Sequence, residues 1–139
     1  MFEHQIRVGF SDCDALGHVN NAKYYTYMEE ARTDIFRIFN PSLDLANWNL
    51  IVASTRCDYL EQVKPAETIT VISWIGKLGN SSFTVEHALR NQEGNWVARG
   101  QATLIHFDYP AQKSAPIPAE ARQQLEKHCT GPADAPELR

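Results

Sequence analysis

No apolar run in the 139 residues approaches the ~20 that a membrane-spanning helix needs, and Met1–Gln5 has neither the basic nor the apolar region of a secretory leader. The chain therefore reads as soluble and cytoplasmic. Cysteine is scarce: Cys13, Cys57 and Cys129 are odd in number and irregularly spaced, which argues against a disulfide framework and against a zinc site. Basic charge is also short, 13 Lys and Arg against 17 Asp and Glu, and a net charge of -4 draws in neither nucleic acid nor an anionic membrane. There is no glycine-rich phosphate loop, no serine in a nucleophile elbow and no histidine pair at metal-ligand spacing. His4, His87, His106 and His128 are scattered and read as structural. No repeat is visible, and the only biased tract is a Pro/Ala/Gly-flavoured tail, residues 130–139, which is expected to fray. Residues 1–139 fit one domain, able to bury roughly 70% of the surface its unfolded chain exposes.

What is present is periodic. Ile6, Val8 and Phe10 alternate with polar or small residues, the pattern of a half-buried strand. From Asn21 to Phe39 the apolar residues Tyr24, Met28, Ala31, Ile35, Ile38 and Phe39 fall at helical spacing, with Lys23, Glu30, Asp34 and Arg37 opposite. Asn20 is a suitable N-cap, Val19 can staple against Tyr24, and Asn40-Pro41 ends the helix. At ~1.5 Å per residue such a helix spans roughly 28 Å and must cross a whole sheet. The strands expected to form that sheet are 50–60, 68–76, 83–90 and 96–107, separated by turns at Lys64-Pro65, Gly79-Asn80 and Gly94-Asn95. Ala98, Gly100 and Ala102 share one face of the last strand, where small residues admit the long helix. A short helix is expected around 119–128. The fold class is α+β: one long helix wrapped by a curved five-stranded antiparallel sheet, whose open edges favour dimerisation.

The chemistry concentrates in Asp12-Cys13-Asp14-Ala15-Leu16-Gly17-His18-Val19-Asn20-Asn21, just before the helix. A calcium loop is excluded, because its fifth and twelfth positions would be Leu16 and Lys23 and a strand precedes it. Asp12 reads as scaffold. Asp14 is the candidate catalyst, since Gly17 permits a reversal that folds the carboxylate back over the helix start. The unpaired N–H groups and the dipole there would polarise a docked carbonyl, leaving Asp14 to act on the carbon or on a water. This is acyl-transfer geometry without serine, metal or cofactor. His18 is the rival base, although local hydrogen bonding is the commoner role for such a histidine. Cys13 lies between two carboxylates, which suppress its thiolate; Cys57 is assigned to the core. Glu29 could pair with Arg32, or reach a neighbouring site in an assembly.

The stretch Asp12 to Tyr24 resembles the signature of the hotdog-fold acyl-CoA thioesterases of the 4-hydroxybenzoyl-CoA thioesterase type. Met28-Glu29-Glu30-Ala31-Arg32, Asp58-Tyr59, Lys64-Pro65 and Lys113-Ser114 through Ile117-Pro118 extend the resemblance over the chain to about Pro118. It implies a hotdog fold, assembled as homodimers that often pair into homotetramers. It also implies that Asp14 is the catalytic carboxylate and that the Asn21 backbone N–H polarises the thioester carbonyl. Some relatives carry histidine where Asn21 stands, so a histidine-assisted route is not expected here.

The expectation is hydrolysis of an acyl thioester, of CoA or of acyl-carrier protein, at a dimer interface and without a cofactor. Tyr24 and Trp48 are assigned to the acyl group, Gly17 and Lys64 to substrate binding, and Lys64, Arg56, Arg90, Arg99 and Lys113 are candidates for the phosphates. The rival readings are a hydratase or dehydratase on the same fold, and a non-catalytic acyl-thioester-binding or assembly module.

Overall fold

A computed structural model describes residues 1–139. Its path is β1 (Phe2–Arg7), α1 (Lys23–Ala31), α2 (Thr33–Phe39), β2 (Leu50–Tyr59), β3 (Thr68–Leu78), β4 (Ser82–Arg90), β5 (Trp96–Asp108), β6 (Lys113–Ser114) and α3 (Ala119–Glu126). The sheet is antiparallel in the order β1-β3-β4-β5-β2, and the two-residue β6 adds a sixth strand beside β5. The five expected strands are present. The 3-4-5 meander follows from its tight turns, whereas β2 pairs with β5 through the long connection that turns cannot reveal.

Apolar alternation along β3, β4 and β5 turns Val71, Leu89 and Ala98 inward, where α1 lays Tyr24, Tyr27, Met28 and Ala31 over them, all buried. The small-residue row on β5 does admit the helix. A Cβ at Gly100 would collide with Met28 Sδ, so the close helix-to-sheet approach requires glycine at this position.

Four expectations are corrected. The single helix from Asn21 to Phe39 is two helices that meet at Arg32, whose N–H is shared between the carbonyls of Met28 (3.2 Å) and Glu29 (3.0 Å). The Thr33 hydroxyl donates to the Glu30 carbonyl at 2.7 Å, a back-bond that tightens the turn. The first strand stops at Arg7, and Phe10 lies in a 3-10 turn with 86% of its surface exposed rather than continuing the buried face. Arg32 does not pair with Glu29. It is buried against His87, with Nη1 to Nε2 at 3.2 Å, while His87 Nδ1 meets Ser73 Oγ at 2.7 Å. Nor does the tail fray.

Residues 130–139 cross the outer face of the sheet as a strap. Gly131 lies on the Trp74 ring, Trp96 Nε1 donates to Asp134 (3.3 Å), Arg99 Nε donates to the Pro136 carbonyl (2.8 Å), and the Arg139 N–H donates to Asp58 (2.7 Å). Beneath it Arg99 stacks on Trp74 and pairs with Glu86 at 2.8 Å, both members of the pair being buried. Composition alone marks such a tail as mobile, because its partners are drawn from distant strands.

Deleting residues 130–139 removes these contacts and uncovers the Arg99–Glu86 pair, so chemical denaturation is expected to show a loss of roughly 1–3 kcal/mol. A second outcome concerns His87, whose pKa is driven well below the usual histidine value by burial and by the adjacent Arg32 and Arg99. The unfolded chain therefore takes up a proton that the folded chain refuses, and this contribution to stability, intact above about pH 6.5, is lost as pH falls toward the folded value. His87→Gln should flatten the acid limb of a stability–pH profile by up to about 1.4 kcal/mol per pH unit.

Candidate active site

The acidic stretch forms a closed turn. The Asp14 N–H donates to the His18 carbonyl (2.9 Å), the Gly17 N–H to the Asp14 carbonyl (3.0 Å), and Cys13 bridges Val19 across it. Gly17 takes the left-handed conformation, with φ of 80°, that closes the loop. The turn is sewn to the body by the Val19 N–H on the Val63 carbonyl (2.8 Å) and the Asn20 N–H on the Asp12 carbonyl (2.9 Å).

The two aspartates have different partners. Asp12 Oδ2 accepts from the Tyr27 hydroxyl (2.7 Å) and from the Gly9 N–H (3.0 Å), and Lys23 lies 4.0 Å from its other oxygen. The Tyr27 bond, with lesser help from Gly9 and Lys23, holds the Asp12 carboxyl below its usual range, while burial and Asp12 raise Tyr27. Asp14 is exposed, and its one side-chain bond is to the Leu16 N–H at 2.9 Å on Oδ1, which leaves Oδ2 turned to no protein donor.

At the helix start the cap position falls to Ala22, and Asn20 instead caps a turn two positions earlier. Its Oδ1 accepts from the Ala22 N–H (3.0 Å) and its carbonyl from the Lys23 N–H (2.9 Å), so regular helix begins at Lys23 rather than at Asn21. The Asn21 N–H donates to no group of the chain. The Asn21 carbonyl is clasped by the Tyr59 hydroxyl at 3.0 Å, and Tyr59 meets Tyr24 edge-on at 5.1 Å. Tyr24, mainly through burial, is pushed up to about 12 and stays neutral at working pH.

Asp14, His18, Asn21 and Tyr24 line one hollow of about 320 Å³, together with Tyr59, Leu60, Glu61 and Gln62. A residue carrying a carboxylate and one carrying an unpaired backbone donor thus line a common hollow. Gly17 shapes the turn without lining the hollow. Lys64 lies on the loop just beyond Gln62 and does not line it either. Trp48 belongs to a separate groove, stacked edge-on with Phe36 at 5.3 Å. Of the proposed phosphate ligands, Arg99 is committed to Glu86, Arg90 lies 3.4 Å from Glu3 and Arg56 lies 3.7 Å from Asp58, whereas Lys64 and Lys113 are exposed. The sequence assigns no role to Tyr59, although Asp58-Tyr59 forms part of the resemblance. Cys13 is raised by burial and by its two aspartate neighbours, and Cys57 is pushed up to about 12, chiefly by burial, so neither is a ready thiolate. No group of three metal-ligating side chains occurs in the structure.

A curled antiparallel sheet wrapped on α1 and α2 is the hotdog fold, and the class of protein is a thioester hydrolase. The chain belongs to the thioesterase-like superfamily, whose family model matches residues 8–125. It is 27% identical over 126 residues to the long-chain acyl-CoA thioesterase FadM of Escherichia coli K12, over 88% of this chain and 96% of that one. A predicted thioesterase from Bacillus stearothermophilus superposes with a TM-score of 0.91 at 28% identity, covering 95% of this chain and 98% of that chain. A thioesterase of Thermus thermophilus solved with coenzyme A and Zn gives a TM-score of 0.81 at 31% identity, covering 91% of this chain and 92% of that one.

Tyr27→Phe deletes the hydroxyl that anchors Asp12 and hence the base of the acidic turn. Denaturant titration at pH 7 should register a loss of roughly 1–2 kcal/mol, shrinking as pH falls below the carboxylate range and Asp12 becomes protonated in both states.

Proposed function

We propose that this protein hydrolyses acyl-CoA thioesters in the cytoplasm, with Asp14 as the catalytic carboxylate. The single observation that carries the reading is the shared hollow of the Asp14 carboxylate and the unpartnered Asn21 N–H at the start of α1. The thioester oxygen docks on the Asn21 N–H, where the positive end of the helix dipole stabilises the charge that develops on it. Asp14 Oδ2 then removes a proton from water as it attacks the carbonyl carbon, or attacks that carbon itself. In either route the carbon–sulfur bond breaks, the thiolate of CoA leaves and is protonated, and water supplies the oxygen of the free acid. Tyr59 holds the helix start in place, and His18 forms a wall of the hollow.

The assembly we propose is a homodimer joined through β2. This strand is the last in the sheet order, and its residues 52–56 are exposed along the open edge. Antiparallel pairing of two such edges about a two-fold axis sets the Tyr59 end of one strand beside the Leu50 end of its partner, about 5 Å away. The Asp14 hollow flanks the Tyr59 end of β2, and the groove holding Trp48 flanks the Leu50 end. Carboxylate and groove thus come together across the interface, which restores Trp48 to the substrate despite its distance from Asp14 within one chain. Lys64 and Lys113, exposed, are the proposed contacts for the CoA phosphates. The names of relatives support CoA as the carrier, since FadM acts on long-chain acyl-CoA and the Thermus enzyme was solved with coenzyme A.

Asp14→Asn tests the mechanism. The amide oxygen can still accept the Leu16 N–H, so the turn persists while the base is lost. Thiol release from an acyl-CoA panel should fall by at least about 100-fold with folding and size unchanged. Undiminished release would refute the role of Asp14; a wild-type protein releasing no thiol from CoA or carrier-protein thioesters would indicate a binding module instead.

A further inference from the structure

The groove at the Leu50 end of β2 is about 410 Å³, larger than the hollow that holds Asp14. It is lined by Phe36 of α2, Leu50 and Val52 of β2 and Leu104 of β5, and by Leu43, Leu45 and Trp48 from the connection between α2 and β2. Two features of that connection are out of place in an ordinary surface loop. Leu45 is 79% exposed, and Leu43 adopts a left-handed φ of 53°, a strained conformation for a residue with a branched side chain.

The loop is nevertheless held firmly. Buried Asn40 donates to the Asp44 carbonyl (2.9 Å) and accepts from its N–H (3.2 Å), Asp44 accepts from the Ala46 N–H (3.0 Å) and from Asn47 (2.7 Å), and Asn49 donates to the Phe39 carbonyl (3.0 Å). Fixed hydrogen bonds therefore present two leucines and a tryptophan to an apolar groove. Exposed leucine held by a built loop indicates a surface that is covered in the working protein.

Charge narrows the occupant. The only ionisable groups on the groove are the exposed Glu29 and Glu30, and the one hydroxyl, that of Thr33, already donates to the Glu30 carbonyl. A phosphate or a carboxylated acyl group would be repelled there, so the CoA moiety lies elsewhere. A benzene-sized ligand fills a cavity of roughly 150 Å³, well under the volume of this groove. We infer that the groove takes an unbranched aliphatic acyl chain, and that Leu43, Leu45 and Trp48 of the loop after α2 gauge the chain's length. The inference rests on the thioesterase reading above and assigns its acyl specificity to the loop after α2.

The test uses the intact protein and non-hydrolysable CoA thioethers carrying butyl, octyl, dodecyl and benzyl groups, followed by calorimetry and by quenching of the Trp48 emission that Trp48→Phe removes. Affinity should rise about two- to fourfold per added methylene, making the dodecyl compound at least about 100-fold tighter than the butyl one and clearly tighter than benzyl. Val52→Trp from the sheet side and Thr33→Trp from the helix side each fill the groove. Either should reduce the dodecyl-to-butyl ratio below about fivefold, and the pair guards against one variant disturbing the sheet edge. Leu45→Ala should shift the preferred acyl length in hydrolysis. Affinity flat with chain length, benzyl binding as tight as dodecyl, equal losses for every thioether in both filled variants, or preference for a quaternary-ammonium acyl group attracted by Glu29 and Glu30 would each overturn the assignment. A chain-length ladder in binding without cleavage of any acyl-CoA would sink the hydrolytic reading and leave the groove assignment standing. Cleavage indifferent to chain length would do the reverse.

Discussion

The contact between Met28 and the bare backbone of Gly100 sets how closely α1 lies on the sheet. With no Cβ on β5 at that point, the helix sinks far enough for Tyr24, Tyr27 and Ala31 to be buried with Val71, Leu89 and Ala98. Tyr27 then reaches Asp12 across the start of the acidic turn, and Tyr59 reaches the Asn21 carbonyl from the far edge strand. The placement of the carboxylate against the helix start is thus a consequence of packing some way down the helix. A side chain at Gly100 would lift the helix and loosen both tyrosine anchors together.

Polar groups inside the fold are distributed by the same geometry. On the inner face Arg32 sits where α1 gives way to α2 and finds a neutral histidine rather than an acid, and His87 passes the interaction on to Ser73. On the outer face Arg99 and Glu86 pair under the strap, with Trp74 below the guanidinium. The outer pair is partnered by hydrogen bonds on both members, whereas Arg32 rests on its one bond to His87 and leaves its buried Nε without a protein partner. The strap in turn belongs to the sheet, since Trp96, Arg99 and Asp58 on two strands all bond to it.

Much of the site can be read along the chain because it is local. Asp14, Gly17, His18, Asn20 and Asn21 lie within eight positions, and the turn that binds them is made by hydrogen bonds between near neighbours. The inequality of the aspartates is legible in outline, but the Tyr27 hydroxyl that makes Asp12 a strut is fifteen residues away. Tyr59 escapes notice for the same reason: a tyrosine on an edge strand has no periodic signature that distinguishes a clasp from a surface residue. Trp48 is assigned to the acyl group by its character, and within one chain it lies in another groove.

By itself the sequence determined the alternation of β3, β4 and β5, the small-residue row on β5, the amphipathic run from Tyr24 to Phe39 and the closed turn at Asp14. Each depends on residues near one another along the chain, whose spacing matches the periods of strand, helix or turn. Only the tertiary structure decided that β2 pairs with β5, that the helix breaks at Arg32, that residues 130–139 strap the outer face and that the apolar groove stands apart from Asp14. These depend on groups brought together from distant positions, where the free energy lies in burial and in completed hydrogen bonds rather than in local preference, and such pairings leave no period in the sequence.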